Sequence, residues 1–154
     1  MYKGHVVSIN ITPEESKPMH SVPEIQAIQS RGLVGDRYYY SGSIEAPDRK
    51  KDQQVTLIEA EAVDALQHES NIHLQPGDIR RNLVTRDVPL NHLVGKEFQV
   101  GEVRLRGIRL CEPCNHLASL THPGVLPGLV HRAGLRAEIL TSGTIRAGDV
   151  IESR

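Results

Sequence analysis

Short apolar runs separated by Gly, Pro and Asp follow one another along this chain, the punctuation of a fold built mostly from short strands. "HVVSIN" (5–10) is the first strand candidate, "PEESKPMHSVPE" (13–24) reads as a polar loop, and "IQAIQ" (25–29) returns to apolar alternation. "GSIEAPDRKKDQ" (42–53) is charged and poor in apolar residues, which predicts a mobile loop rather than an ordered lid. One helix is signalled. Thr56 and Glu59 have capping-box spacing, and Ile58, Ala62, Val63, Ala65 and Leu66 form a stripe at helical period that should end near Ser70–Asn71.

"FQVGEVRLRGIRL" (98–110) alternates with a change of phase. Val103 and Leu105 share one face; beyond Gly107 the apolar positions become Ile108 and Leu110. A glycine at a phase slip predicts a bulge, with Arg109 and Cys111 then turned away from the apolar layer. The final segment reads as a strand, a turn at Ser142–Gly143, and a hairpin turning at Gly148–Asp149. "FQVGEV" and "IRAGDV" echo one another as similar hairpins rather than as a repeat. Many short strands and little helix predict a mainly β fold, a closed or nearly closed barrel with one or two short helices.

With 154 residues the chain is expected to form a single domain, 1–154, large enough for its own core. A net charge of −1 and a pI near 6.7 give no general attraction to nucleic acid or to an anionic membrane, so neither is expected as a partner. No apolar run approaches the roughly 20 residues of a bilayer span, and "MYKGHVVSIN" has no signal-peptide pattern; a cytoplasmic location is expected. The absence of Trp and the single Phe argue against base-stacking or aromatic-cage recognition.

Both cysteines lie in "RLCEPCNHLASL" (109–120), spaced Cys-x-x-Cys. Two are too few for a disulfide framework, and four chemistries fit the pair. With His116, His122 or His131 it could form part of a zinc site, although the spacing matches no common finger or ribbon. A thioredoxin-like dithiol needs its first cysteine at a helix start in a βαβ setting, which a barrel does not supply. Two small buried apolar residues is the plain structural alternative. The fourth is a reactive or ligating sulfur. Arg104, Arg106 and Arg109 precede the pair, Arg132 and Arg136 follow it, and Arg80 and Arg81 lie beside Asn82. Arg37 follows a Gly-x-x-Gly-Asp turn. Guanidinium forks with glycine-turn N–H groups suit a phosphate, and such surroundings favour the thiolate of a cysteine placed among them.

Taken together, "GLVGDRYY", "VTLIEAEAV", "IRRNLVTRDVPLNHLVGKEFQVGEVRL", "LCEPCNHL", "HRAGLRAEIL" and "GTIRAGDVI", in this order over residues 5–151, resemble the MOSC domain, named for the C-terminal domain of molybdenum-cofactor sulfurase, in its small stand-alone bacterial form. The resemblance implies a MOSC-type β-barrel (pyruvate-kinase β-barrel-like) and an association with the molybdenum cofactor, molybdopterin. It implies that one cysteine, best matched by Cys114, carries a persulfide sulfur or ligates molybdenum. Arg37, Arg80, Arg81, Asn82, His131 and Arg132 would then contact the anionic cofactor, and Cys111 would be inert or supporting. Either the reductase or the sulfur-transfer activity of the family is open to such a chain. The implied partners are the cofactor or its sulfur donor and a redox or sulfurase protein. The N-terminal barrel of the longer MOSC reductases has no counterpart here, nor has the aminotransferase-like domain of full sulfurases, so pyridoxal phosphate is not expected. The competing reading is a non-catalytic zinc-binding or interaction module that uses both cysteines.

Overall fold

A computed structural model describes residues 2–40 and 51–154. The mobile loop expected over 42–53 lies outside the described residues except at its end. Eleven strands and four α-helices make up the described chain. The barrel strands are β1 (Lys3–Ile11), β5 (Val55–Glu59), β6 (Leu83–Arg86), β7 (Glu97–Val100), β8 (Val103–Leu110), β9 (Leu135–Ile139) and β11 (Val150–Ser153). They pair in the order β11-β7-β8-β9-β5-β6-β1, and β1 pairs with β11 to close a seven-stranded barrel. Closure removes the unpaired edges that an open sheet would expose. β2 (His20–Val22) lies beside the far end of β1, and β3 (Glu24–Ile28), β4 (Gly32–Leu33) and β10 (Gly143–Arg146) form a second small sheet. Ile25, Ala27, Leu33 and Ile145 of that sheet join Ile9, Leu57, Leu83, Phe98 and Leu105 in the barrel core. The mainly β barrel expected from the pattern is thus present. The helices are α1 (Arg37–Tyr40), α2 (Ala60–Ser70), α3 (Asn115–Leu120) and α4 (Val125–Gly128). Three of them have four to six residues, too few to show a helical period.

The predicted capping box does not form. Thr56 to Glu59 belong to β5, and α2 begins at Ala60 with no side-chain cap. β5 is buried on both faces: Leu57 points into the barrel, while Ile58 joins Val84, Leu66, Leu117, Val125 and Leu129 in an outer core beneath the helices. A strand covered on both sides loses its alternation and runs on into the helical stripe. β5, α2 and β6 are a parallel crossover unit, and β5–β6 is the parallel pair of the barrel. The helix end is where the pattern placed it, with Asn71 in the left-handed conformation at φ 55°.

The bulge at Gly107 forms: the β8–β9 register shifts between Gly107 and Arg109. A side chain there would meet the Leu93 carbonyl oxygen at 2.1 Å, so the chain approaches closely where only glycine fits. Beyond the bulge, Cys111 is 3 % exposed and not turned outward, a correction to the expected phase. The loop expected over 13–24 contains β2 and the first residue of β3. The final hairpin is also corrected. The chain turns at Gly148–Asp149, but β10 pairs with β3 while β11 pairs with β1 and β7. Val6 holds the turn through its N–H to Asp149 and its carbonyl from Gly148 (2.9 and 2.8 Å), which draws the two strands into different sheets. No helix among the described residues is long and apolar enough to cross a membrane.

Candidate functional site

Cys114 immediately precedes α3, in extended conformation (φ −136°, ψ 168°), and the Leu117 N–H donates to its Sγ at 3.5 Å. Its thiol is free and exposed, whereas Cys111 is free and buried. Residues 111–114 run without turn or bend. It is the second cysteine that meets the helix, the reverse of the thioredoxin arrangement. Among the described residues no three His, Cys, Asp or Glu side chains gather in a way that could hold a metal, so the zinc reading finds no ligand set.

Cys114 opens onto a cleft of about 190 Å³ assembled from five separate segments. The loop after β1 contributes Glu15 and Ser16; α1 contributes Arg37 and Tyr38; the approach to β6 contributes Arg80 and Arg81. The start of α3 contributes Cys114, His116 and Leu117, and β9 contributes Arg136. His116 Nε2 lies 3.0 Å from the Ser16 hydroxyl, tying α3 to the first loop.

The electrostatics of the cleft are one-sided. Arg81 is 8 % exposed and donates to the carbonyls of Ala133 (2.9 Å), Cys111 (3.3 Å), and Ile79 and Glu112 (both 3.5 Å). Arg80 donates to the Lys17 carbonyl at 2.6 Å. Arg136 donates to the Asp52 carbonyl at 3.0 Å and the Tyr38 hydroxyl at 3.4 Å, and its Nε is buried with no partner. None of these three guanidiniums has a carboxylate partner among the described residues; Arg37 alone of the four is paired, with the buried Asp36 at 3.3 Å. Burial pushes Arg81 below the ordinary guanidinium range, and Arg80 follows through burial and the charge of Arg37. For Arg136 burial again disfavours the charge, but Cys111, Tyr38 and Asp52 outweigh it and hold its pKa above the ordinary value. Buried cations without counter-ions are costly, and a bound anion relieves that cost. Among the described residues, the exposed Glu15 is the only acid lining the cleft.

Arg37, Arg80, Arg81 and Cys114, expected to share a site, are therefore brought together. Asn82 is not part of it. It is fully buried, and its side chain accepts from Thr56 N (3.0 Å) and Oγ1 (3.2 Å) and donates to the Asn10 carbonyl (3.1 Å), locking β5, β6 and β1. His131 lies on the surface, its ring against Glu112 at 2.6 Å, and Arg132 is ion-paired with Glu69 at 2.5 Å. Neither lines the cleft. Arg106 and Arg109, conspicuous beside the cysteines in sequence, pair with Glu138 (3.2 Å) and Asp52 (2.8 Å). Tyr38 and Ser16 are cleft residues that did not stand out; Arg136, noted among the arginines that follow the cysteine pair but not among the expected cofactor contacts, also lines the cleft. Arg136 had one sign, a charge held between the buried Leu135 and Ala137 of β9.

The barrel and its helices have solved counterparts. The YuaD protein from Bacillus subtilis superimposes with a TM-score of 0.81 at 13 % identity, covering 98 % of this chain and 97 % of that one. YiiM from Geobacillus stearothermophilus gives 0.75 at 13 % identity (98 % and 75 % covered). YiiM from Escherichia coli gives 0.69 at 17 % (100 % and 70 % covered). These likenesses are of fold. No curated protein matches this chain. The MOSC domain model matches residues 26–152, which takes in every barrel strand but β1, together with Cys114 and all four cleft arginines, and on that match the chain belongs to the MOSC domain family.

Proposed function

We propose that this protein binds a phosphorylated, molybdopterin-type cofactor in the Cys114 cleft and uses Cys114 as its working sulfur. The observation that carries this reading is the set of guanidiniums with no ion-paired carboxylate among the described residues (Arg80, Arg81 and Arg136) lining one cleft with an exposed free thiol. The MOSC family's association with the molybdenum cofactor fits that chemistry. Arg81 and Arg136 would hold the phosphate, since both are partly or wholly withdrawn from water and lack an anion. Arg80 adds to the positive field of the cleft, while the charge of Arg37 is shared with Asp36. Among the described residues Cys114 is the only soft donor lining the cleft, so it is the residue suited to molybdenum. When bound, the cofactor supplies a sulfur-seeking redox metal.

An exposed free thiol also suits sulfur carriage. Cys114 would attack the outer sulfur of a donor persulfide. A new S–S bond forms to Cys114 as the donor's S–S bond breaks, and the donor leaves as a thiolate. Cys111, buried, takes no part.

Protein purified from a molybdenum-replete host should retain molybdenum and pterin or carry one added sulfur on Cys114, measured by elemental analysis and intact mass under non-reducing conditions. Cys114→Ser should lose these and Cys111→Ser should keep them. A wild-type protein with no molybdenum, no pterin and no added sulfur would sink the proposal. Independently, inorganic pyrophosphate should raise the melting temperature of the wild type, because a ligand that binds only the folded state stabilises it. The rise should disappear in Arg136→Met.

A further inference from the structure

A second groove adjoins the cleft and shares Ser16 and Arg80 with it. Its other walls are Pro18, Met19, Leu120 and Asp78, and its volume is about 180 Å³. Each hollow alone falls short of the roughly 300 Å³ at which small-molecule sites begin; joined at Arg80, they reach it. Their chemistry differs. The first is lined by arginines and a thiol; the second places Asp78 beside Pro18, Met19 and Leu120, together with the shared Ser16 and Arg80. Leu120 is 43 % exposed, one of the few large apolar side chains left open to water, and it lines the groove with Pro18 and Met19. The Met19 thioether, with Pro18 and Leu120, offers apolar contact to the face of an aromatic heterocycle.

Asp78 is placed to read the edge of such a ring. Its Oδ2 accepts from the Gln75 N–H at 2.9 Å, which fixes the carboxylate, and its Oδ1 has no partner among the described residues. The groove floor is tight: a side chain at Gly77 would stand 3.2 Å from the Met19 carbonyl oxygen, so the Gly77–Asp78 turn rests directly on the loop after β1.

We infer that this groove is a heterocycle subsite, in which Asp78 accepts hydrogen bonds from an amidine-like N–H and NH₂ edge, as on a 2-amino-4-oxo pterin, while the cleft holds the guest's phosphate. Arg80 lies at the junction and contacts the linking atoms. The inference rests on the proposed function but concerns a separate set of residues. It assigns Asp78 to ring discrimination and the arginines to anion affinity.

The test is equilibrium binding of neopterin monophosphate to the full chain, followed by pterin fluorescence. The comparison ligand is the corresponding 2,4-dioxo lumazine monophosphate, in which the amino donor is replaced by an acceptor. The wild type should prefer the pterin by about tenfold, as expected when a charged acceptor loses its donor. Asp78→Asn keeps an oxygen for the Gln75 N–H yet turns the other atom into a donor, so it should bring the ratio to about one. Its affinity for inorganic pyrophosphate should not change. Equal binding of pterin and lumazine by the wild type, with both lost in Arg136→Met, would overturn the subsite while leaving the anion cleft standing. Failure of the wild type to bind either phosphate ester or pyrophosphate would overturn the subsite and the proposed function together.

Discussion

Two cysteines three positions apart have opposite environments, and their reactivity should follow. Cys111 donates its N–H to Gly134 (2.8 Å) and is 3 % exposed, while Cys114 sits at the mouth of the cleft. Brief treatment of the native protein with iodoacetamide should add one label, mapped to Cys114 by mass spectrometry. The second should appear only in denaturant, and Cys114→Ser should take up none while folded. Equal labelling of both cysteines in the native protein would contradict the burial of Cys111. The polar interior residues show the same dependence on surroundings. Asn82 looked like a ligand from its arginine neighbours, yet every hydrogen bond of its side chain goes to Thr56 or Asn10. Thr56→Val, which removes the hydroxyl that accepts from the Asn82 backbone N–H inside the barrel, should cost about 1–3 kcal/mol in urea unfolding.

At the level of elements, glycines set where strands come close. Gly107 lies under the Leu93 carbonyl, and Gly134 at φ 116° places its missing side chain 2.0 Å from the Leu57 carbonyl oxygen. Gly148 has φ 92° but nothing within 4 Å. Ala at 107 or 134 should therefore cost about 3 kcal/mol or more, through forced backbone shifts. Ala at 148 should cost only the left-handed conformation, about 1–2 kcal/mol. Comparable losses at all three positions, in the same denaturant series, would show that close approach is not what distinguishes them. Phase was legible at this scale: the slip at Gly107 marked a bulge that exists. The start of α2 was not, because a strand buried under helices and over a barrel presents the same unbroken apolar run as a helix.

For the whole molecule the decisive feature is closure. β11 is bonded to β1 on one side and β7 on the other, and Ile151 points into the core with no exposure while its neighbour Val150 is 41 % exposed. Ile151→Ala should destabilise by about 2–5 kcal/mol and speed amide exchange in both β1 and β7. Val150→Ala should stay within about 0.5 kcal/mol. Loss of protection confined to β11 would argue against a barrel that closes cooperatively. The cleft depends on the same closure. Its arginines come from α1, the approach to β6, and β9, and only the closed barrel brings these to one end of α3.

The order of short apolar runs, the glycine at the bulge and the end of α2 were determined by the sequence alone, because each reflects a local property: alternation, absence of a side chain, a left-handed cap. So was the gathering of Arg37, Arg80, Arg81 and Cys114, through family motifs rather than through spacing. Tertiary structure decided which arginines stay without a counter-ion. Arg106, Arg109 and Arg132 find carboxylates from elsewhere in the fold, whereas Arg81 and Arg136 have none among the described residues. Whether a charge is satisfied depends on what lies across the fold from it, and no pattern along the chain records that neighbour.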